Sequence, residues 1–261
     1  MIDIRLSDNL ELMAEMQDNT VDLIYCDILY GTGKNFMDYK DLYPMREIIE
    51  EHYMPRIKEM HRILKPTGSI YLQMDTRISH WIRCILDDVF SYGNFLNEIN
   101  WCYTMASNNK KKYAAKHDNI IFYSKSKKYT FNYNDIRIPY NKETLSRTNR
   151  KAGNNGLYSG DLAEEKHKNR LNNNGKIPED YWVDVNRIQG NGLEKNGYAT
   201  QKPKALIERI IKASSNKGDL VADFYAGSFT TAEVCKDLNR NFIGCDISEK
   251  AVAIGLERTK Y

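Results

Sequence analysis

No two cysteines stand in a C-x-x-C spacing, and the five present (Cys26, Cys84, Cys102, Cys235, Cys245) are scattered and odd in number. That argues against a disulfide framework and against a thiolate zinc site, and no metal is expected; buried free thiols remain. Long apolar runs are missing too. None approaches membrane-spanning length, and the N-terminus, MIDIRLSDNLELM, lacks a charged-then-apolar leader pattern. The expectation is a cytoplasmic protein with no membrane partner. Internal repeats are absent. Glycine is sparse where phosphate-binding loops need it: the turn after the strand DLVADFY carries one glycine, Gly227, not the three of G-x-G-x-x-G.

What is present is an ordinary globular composition, 41% hydrophobic and 11% aromatic over 261 residues. That suffices for one large α/β domain carrying an insertion. The net charge of +3 is unevenly spread. Lys110 to Lys151 holds 12 Lys/Arg against 3 Asp/Glu, whereas the rest has 26 against 32. Tyr113, Tyr123, Tyr129, Tyr133 and Tyr140 are interleaved with the basic run. Basic charge mixed with aromatics is an electrostatic footprint for nucleic acid, against the plainer reading of a solvated surface. Lys110, Lys111, Lys112, Lys125, Lys127, Lys128, Arg147, Arg150 and Lys151 are the expected contacts.

Three textures follow one another. Residues 1–103 alternate strand and helix signals: VDLIYCD, then the amphipathic REIIEEHYMPRIKEMHRIL with Pro55 inside it, then a stop at KPTG and a strand GSIYLQM. HWIRCILDDVF and NEINWCY continue the alternation. Residues 104–199 contain an exposed loop, the strand NIIFYSK and, mainly over 141–199, a polar Asn-rich stretch that cannot supply its own core. Residues 200–261 return to α/β rhythm, with Pro203 expected in the first turn of KPKALIERIIKASS. Alternation of this kind predicts a doubly wound, mostly parallel sheet.

Within the last segment, Asp246 ends the strand after the Ala226-Gly227-Ser228 turn and follows Gly227 by 19 residues. An acid there is placed to accept hydrogen bonds from ribose hydroxyls. With the pyrophosphate glycines missing, the ligand reads as an adenosine compound without phosphates, and a nicotinamide dehydrogenase is disfavoured.

Several motifs together carry a resemblance. The chain has DILY at Asp27–Tyr30, HDNIIFYSKS from His117, TQKP at Thr200–Pro203 and DFYAGSFTT at Asp223–Thr231. In this order and spacing they resemble the amino DNA methyltransferases of the beta arrangement, with D-P-P-Y near the N-terminus and T-Q-K-P leading to D-P-F-x-G-S-G-T-T. The resemblance covers almost the whole chain, the Asn-rich stretch least. It implies a seven-stranded methyltransferase sheet, S-adenosylmethionine as cofactor and double-stranded DNA as partner. A homodimer and a cognate restriction endonuclease are further partners that it suggests. It also implies that the strands ending in Asp27 and Asp223 are neighbours, so that both motifs share one crevice.

The resemblance gives Asp27 and Tyr30 a chemical reason. An exocyclic amino nitrogen is a poor nucleophile, its lone pair being delocalised into the ring. A carboxylate accepting one N–H and a carbonyl accepting the other would aim that lone pair and stabilise the developing positive charge. By the resemblance, Asp27 is the carboxylate, Ile28 supplies the carbonyl, and Tyr30 stacks on the flipped base. Asp at the first motif position favours adenine N6 over cytosine N4. The cofactor is expected against Asp8, Asn9, Asp27, Thr200, Lys202, Asp223, Tyr225, Ala226, Gly227, Ser228, Phe229, Thr230, Asp246 and Ile247. Among these, Thr200 and Lys202 would approach the methionine carboxylate. His52, His61 and His80 read as surface or core residues, and Leu12, Met13 and Met16 as core.

The sequence departs from the family at Ile28 and Leu29, where it has prolines, at Phe224, also a proline there, and at Phe229, in place of the second glycine of G-S-G. A silent DNA-binding relative, and a methyltransferase of RNA or of cytosine N4, stand beside the adenine reading.

Overall fold

The computed structural model describes residues 1–35, 40–103, 108–145, 158–159, 169–170, 172–188, 192, 194–198 and 200–260. Its elements in chain order are Ile2–Leu6 (β1), Asn9–Glu15 (α1), Val21–Asp27 (β2), Arg46–Ile63 (α2), Leu64–Met74 (β3), Ser79–Phe90 (α3), Phe95–Cys102 (β4), His117–Ser124 (β5), Tyr158–Ser159 (β6), Asn169–Arg170 (β7), Tyr181–Trp182 (β8), Lys204–Ser214 (α4), Leu220–Asp223 (β9), Thr230–Asp237 (α5), Asn241–Asp246 (β10) and Glu249–Thr259 (α6).

In β2 every residue except Asp22 and Asp27 is buried. A strand covered on both faces belongs in the middle of a parallel sheet, and β2 lies there. The sheet order is β1-β10-β9-β2-β3-β5-β4-β8. From β1 to β3 all neighbours are parallel; β5 is antiparallel to both β3 and β4. Alternating side chains feed opposite layers. Ile24 and Cys26 join a core beneath α1, α2 and α3, whereas Leu23 and Tyr25 join one beneath α4, α5 and α6.

β2 and β9 are adjacent, with Leu23 opposite Val221 and Ile24 opposite Ala222. From β2 the chain proceeds to β3 on one side, and from β9 to β10 on the other. This reversal makes the carboxyl ends of β2 and β9 the switch point where doubly wound sheets bind ligands.

Three expectations need correction. Among the described residues the sheet has eight strands, not seven, because Tyr181–Trp182 adds to the β4 edge. The KPTG stop ends the helix but lies inside β3, which begins at Leu64 at once. Pro203 is the N-cap of α4 and not a first-turn residue. Helix α2 runs through Pro55 without interruption.

The chain forms two compact units, Met1–Phe131 with Asp180–Tyr261, and Asn132–Glu179. The second is thus narrower than the polar stretch marked over 104–199. It holds the β6–β7 pair, an Ile138–Lys176 bridge, and a hydrogen bond from Arg137 Nη1 to the Gly175 carbonyl (2.7 Å). Residues after Asp180 rejoin the main sheet, where the Trp101 indole donates to the Val185 carbonyl at 2.8 Å.

Candidate active site

The crevice at the switch point is lined from β2 and its following loop by Asp27, Ile28, Leu29 and Tyr30, and from the β9–α5 turn by Asp223, Tyr225, Ala226, Gly227, Ser228 and Thr230. Asp8, Asn9, Thr200, Lys202, Asp246 and Ile247 complete the expected set apart from Phe229. Two motifs almost 200 residues apart in sequence meet because β2 and β9 pair.

Asp27 ends β2 pointing into a polar cluster. Its carboxylate is paired with the Lys202 ammonium, and its Oδ1 lies 2.9 Å from Tyr30 Oη. Burial raises the Asp27 pKa, and Lys202 opposes that rise by charge and hydrogen bond. Lys202 is therefore engaged with Asp27, a different partner from the cofactor carboxylate expected for it. Its ammonium also lies 5.1 Å from the Tyr30 ring centroid.

The loop after Asp27 lacks both family prolines and is held by other means. The Ile28 amide donates to the Gln73 carbonyl at 3.0 Å, and Tyr53 Oη donates to the Leu29 carbonyl at 3.2 Å. Buried Asp41 then accepts from the amides of Gly31 (3.1 Å), Thr32 (2.8 Å) and Leu42 (2.8 Å). Gly31 is left-handed, with φ of 63°, and a Cβ there would lie 2.6 Å from Ile78 Cγ2. Only glycine fits both demands.

On the β9 side, the Asp223 carboxylate accepts from Thr231 Oγ1 (2.6 Å) and the Tyr225 amide (3.1 Å). Burial nevertheless pushes its pKa up to about 7, and Asp27 adds to the rise. Asp246 at the tip of β10 accepts from the Gly227 and Ser248 amides, each at 2.9 Å, which fixes its carboxylate at the turn. Gly227 has φ of 49°, and Tyr198 Cε1 would lie 3.2 Å from a Cβ placed there.

Phe229 requires a correction. It does not line the crevice, although it was expected to contact the cofactor. Its ring is fully buried against Phe242 and Gly255. Starting α5 with φ of 54°, it turns its side chain into the core and leaves only backbone at the turn.

Several lining residues were not identified from sequence. Helix α2 contributes His52 and Arg56: His52 Nε2 is 3.2 Å from Tyr225 Oη, and Arg56 Nε donates to Asn9 Oδ1 at 2.7 Å. Burial, with Arg56 nearby, lowers the His52 pKa to about 4, so the ring is neutral near pH 7. Their i,i+4 spacing on one helix face was the available signal. Asp118, the acid after His117 at the start of β5, does not line the crevice but sits behind Tyr30, accepting from Tyr30 Oη (2.7 Å), Gln73 Nε2 (2.9 Å) and Tyr103 Oη (3.0 Å).

The basic segment is divided by topology. Because β5 is antiparallel to β3, His117 starts near the crevice end, and Ser124 ends opposite Ser69, five residues back along β3 from Met74. Lys125, Lys127 and Lys128 thus lie roughly 15 Å or more along the sheet from the crevice. Lys125 Nζ is used internally, donating to the Leu64 carbonyl (2.6 Å) and Asn19 Oδ1 (2.8 Å), and Lys127 meets the Gly93 carbonyl. These three are corrected away from the expected nucleic-acid face. Tyr123 is also core, bonded to Asp87. Lys110, Lys111 and Lys112 are exposed and precede β5, on the crevice end of that strand. Arg147, Arg150 and Lys151 lie outside the described residues.

A crevice at the switch point of a doubly wound sheet, with an acid at the tip of the neighbouring strand and a single glycine in the turn, has the form of a nucleoside-cofactor site of an α/β protein. The profile of a family described as DNA methylase, of the N6/N4 methyltransferase type, matches residues 21–257. The type II methyltransferase M.HpaI of Haemophilus parainfluenzae is 31% identical over 255 residues, covering 97% of this chain and 72% of that protein. The DNA adenine methyltransferase YhdJ of Escherichia coli (strain K12) is 31% identical over 253 residues, covering 96% and 80%. Among solved structures, the M1.HpyAVI–SAM complex aligns over 100% of both chains with a TM-score of 0.64 at 21% identity. The cytosine-N4-specific PvuII DNA methyltransferase aligns over 100% of this chain and 86% of its own, with a TM-score of 0.69 at 16% identity. At those identities the structural likeness establishes the fold. The chain belongs to the DNA methylase family. Among the described residues, no helix is long and apolar enough to cross a membrane.

Proposed function

We propose that the protein transfers a methyl group from S-adenosylmethionine to adenine N6 in double-stranded DNA. The observation that carries this reading is the meeting of Asp27 and Tyr30 with the Asp223–Thr231 turn in one crevice. The names of M.HpaI and YhdJ support it, the second naming adenine.

The lining suits such a cofactor. Asp246 offers acceptors to ribose hydroxyls at the tip of β10, beside a turn whose Gly227 leaves no side chain under Tyr198. Tyr225, held by His52, offers a ring for an adenine. The carboxylates of Asp27 and Asp223 favour a cationic ligand in the same space. S-adenosylmethionine, when bound, supplies an electrophilic methyl group on a cationic sulfur.

The protein's own part is orientation and charge. Lys202 counters the burial that raises the Asp27 pKa, and so favours the carboxylate form that accepts a base N–H. The loop bonds at Ile28, Leu29 and Asp41 fix the backbone beside it, so the amino nitrogen is held without rearrangement. Tyr30 presents its ring at the mouth, suited to a base rotated out of the duplex. Exposed Lys110, Lys111 and Lys112 suit phosphate contacts that position without reading sequence.

Mass spectrometry of digested DNA after incubation with the protein and cofactor tests the proposal. N6-methyladenine is expected, and Asp27→Ala should lose it while cofactor binding persists. N4-methylcytosine would overturn the adenine assignment, and no methylated base at all would overturn the transferase reading.

A further inference from the structure

Asp27, Tyr30 and Asp118 present more acceptors than protons. Tyr30 Oη lies 2.9 Å from Asp27 Oδ1 and 2.7 Å from Asp118 Oδ2, yet a phenol has a single hydrogen to donate. With Asp27 ionised, Tyr30 can donate to only one of the two carboxylates at a time; once Asp27 Oδ1 takes up a proton, it donates to Tyr30 while Tyr30 donates to Asp118. The surroundings hold Asp118 where it meets Tyr30. Asp118 is buried and held in place by two other donors, Gln73 Nε2 at 2.9 Å and Tyr103 Oη at 3.0 Å, so that its Oδ2 stays against the Tyr30 hydroxyl. Tyr25 Oη donates to Gln73 Oε1 at 2.8 Å, locking the amide so that its NH₂ faces Asp118. Lys202 occupies Asp27 Oδ2, which leaves Oδ1 as the oxygen turned to Tyr30.

We propose that Asp118 is a further functional residue of this site: the proton released by the methylated amino group passes from Asp27 through the Tyr30 hydroxyl to Asp118. The proposal rests on the methyl-transfer reading above. In the transfer the nitrogen lone pair forms the N–C bond, the C–S bond breaks, and its electron pair stays on sulfur. The nitrogen, now cationic, gives one N–H proton to Asp27 Oδ1. Tyr30 accepts that proton while passing its own to Asp118 Oδ2, so the phenol is neutral before and after. Burial and both carboxylates hold the Tyr30 pKa well above its ordinary value, so a tyrosinate is not populated. Asp118 touches no reacting atom; it is a positioning residue that acts through Tyr30 and ends the proton path.

The groups facing Asp27 are Lys202, Tyr30 and Asp118, with Tyr25 on its own strand and Asp223 on β9. Asp118 is faced by Tyr103, over whose ring Arg187 lies at 5.0 Å. Two substitutions therefore move Asp27 in opposite directions. The Asp118 charge raises the Asp27 pKa, and the Tyr30 hydroxyl lowers it. In Asp118→Asn the acid limb of the pH–rate profile should shift to lower pH, and in Tyr30→Phe to higher pH.

The test is single-turnover transfer of labelled methyl from S-adenosylmethionine to DNA, across pH, by the parent, Asp118→Asn, Tyr30→Phe and the double variant. Each single substitution should slow transfer by about 10²-fold, the scale of general base assistance. The double variant should be no slower than the slower single, because both break one path. A parent that transfers, with either single variant keeping the parental rate and limb, overturns the relay alone, as do effects that multiply in the double variant. A parent that transfers nothing overturns relay and transferase reading together. Should Asp118→Asn fail to fold, Tyr30→Phe, which removes one atom and keeps the ring, decides the matter by itself.

Discussion

Phe229 and Gly255 form a pair in which the effect of changing one should reverse sign when the other is changed. Phe229 is fully buried, and a Cβ built on Gly255 would lie 2.5 Å from Phe229 Cγ, 2.6 Å from Cδ2 and 2.9 Å from Cβ. The Phe229 Cβ is anchored to backbone at the start of α5 and cannot yield as a flexible tip would. Gly255→Ala should therefore destabilise by about 1–3 kcal/mol, the cost of overpacking a filled core. Phe229→Gly removes a whole ring, costing about 3–5 kcal/mol in burial and cavity. It also relieves a residue held at φ of 54°, which returns about 1–2 kcal/mol. A net loss of about 1–4 kcal/mol follows. In the Phe229→Gly background the obstruction is gone, and Gly255→Ala should become stabilising by about 0.5–1 kcal/mol, because alanine is the better residue inside a helix. Urea unfolding of the parent, both singles and the double, followed by circular dichroism, gives the four free energies. Cofactor affinity should change little throughout, since neither side chain lines the crevice. If Gly255→Ala were equally destabilising with and without the Phe229 ring, the packing account of this departure from the family would be refuted.

Lys202→Met should leave Asp27 buried without its counter-ion, lowering stability at pH 8 by about 3 kcal/mol. Since the Asp27 pKa then rises further above its unfolded value, the loss should shrink as pH falls and the carboxyl protonates; a pH series of thermal melts reads this, and a pH-independent loss would contradict it. Asp223 has a folded pKa of about 7, above the unfolded value of 3.8. The protonated group's advantage is complete below the unfolded pKa and disappears as pH rises through about 7, a change on the order of 4 kcal/mol. Asp223→Asn should flatten the parent's decline over that window, measurable by urea midpoints between pH 4 and 8. Replacing Lys110, Lys111 and Lys112 by glutamine should lower the log–log salt slope of DNA binding by about 0.9 for each phosphate no longer neutralised. The same change at Lys125, Lys127 and Lys128 should leave the slope unaltered, and equal effects from both sets would overturn the division of the basic segment.

Local elements, and the chemistry they carry, were legible in the order of the residues. β2 could be read because a run of apolar residues ending in Asp27 fits a strand buried on both faces, and the Ala226-Gly227-Ser228 turn because phosphate loops need glycines this one lacks. The Asp246 spacing marked a ligand-facing strand end for the same local reason. Relations that cross the chain depended on how the strands and helices pack. Lys202 reads in sequence as the lysine of TQKP, directed at a cofactor carboxylate, and only the tertiary fold brings Asp27 within its reach. The basic run reads as one patch, but a strand takes up length, so β5 separates the lysines before it from those after it by its own length along the sheet. Phe229 reads in sequence as a departure at a glycine position, and the room for its ring in the core depended on the missing Cβ of Gly255 in another helix. Asp118 was visible as half of a pair and silent as to purpose, because a carboxylate's role is set by the donors around it, and those come from β3, the loop after β2 and the residue following β4.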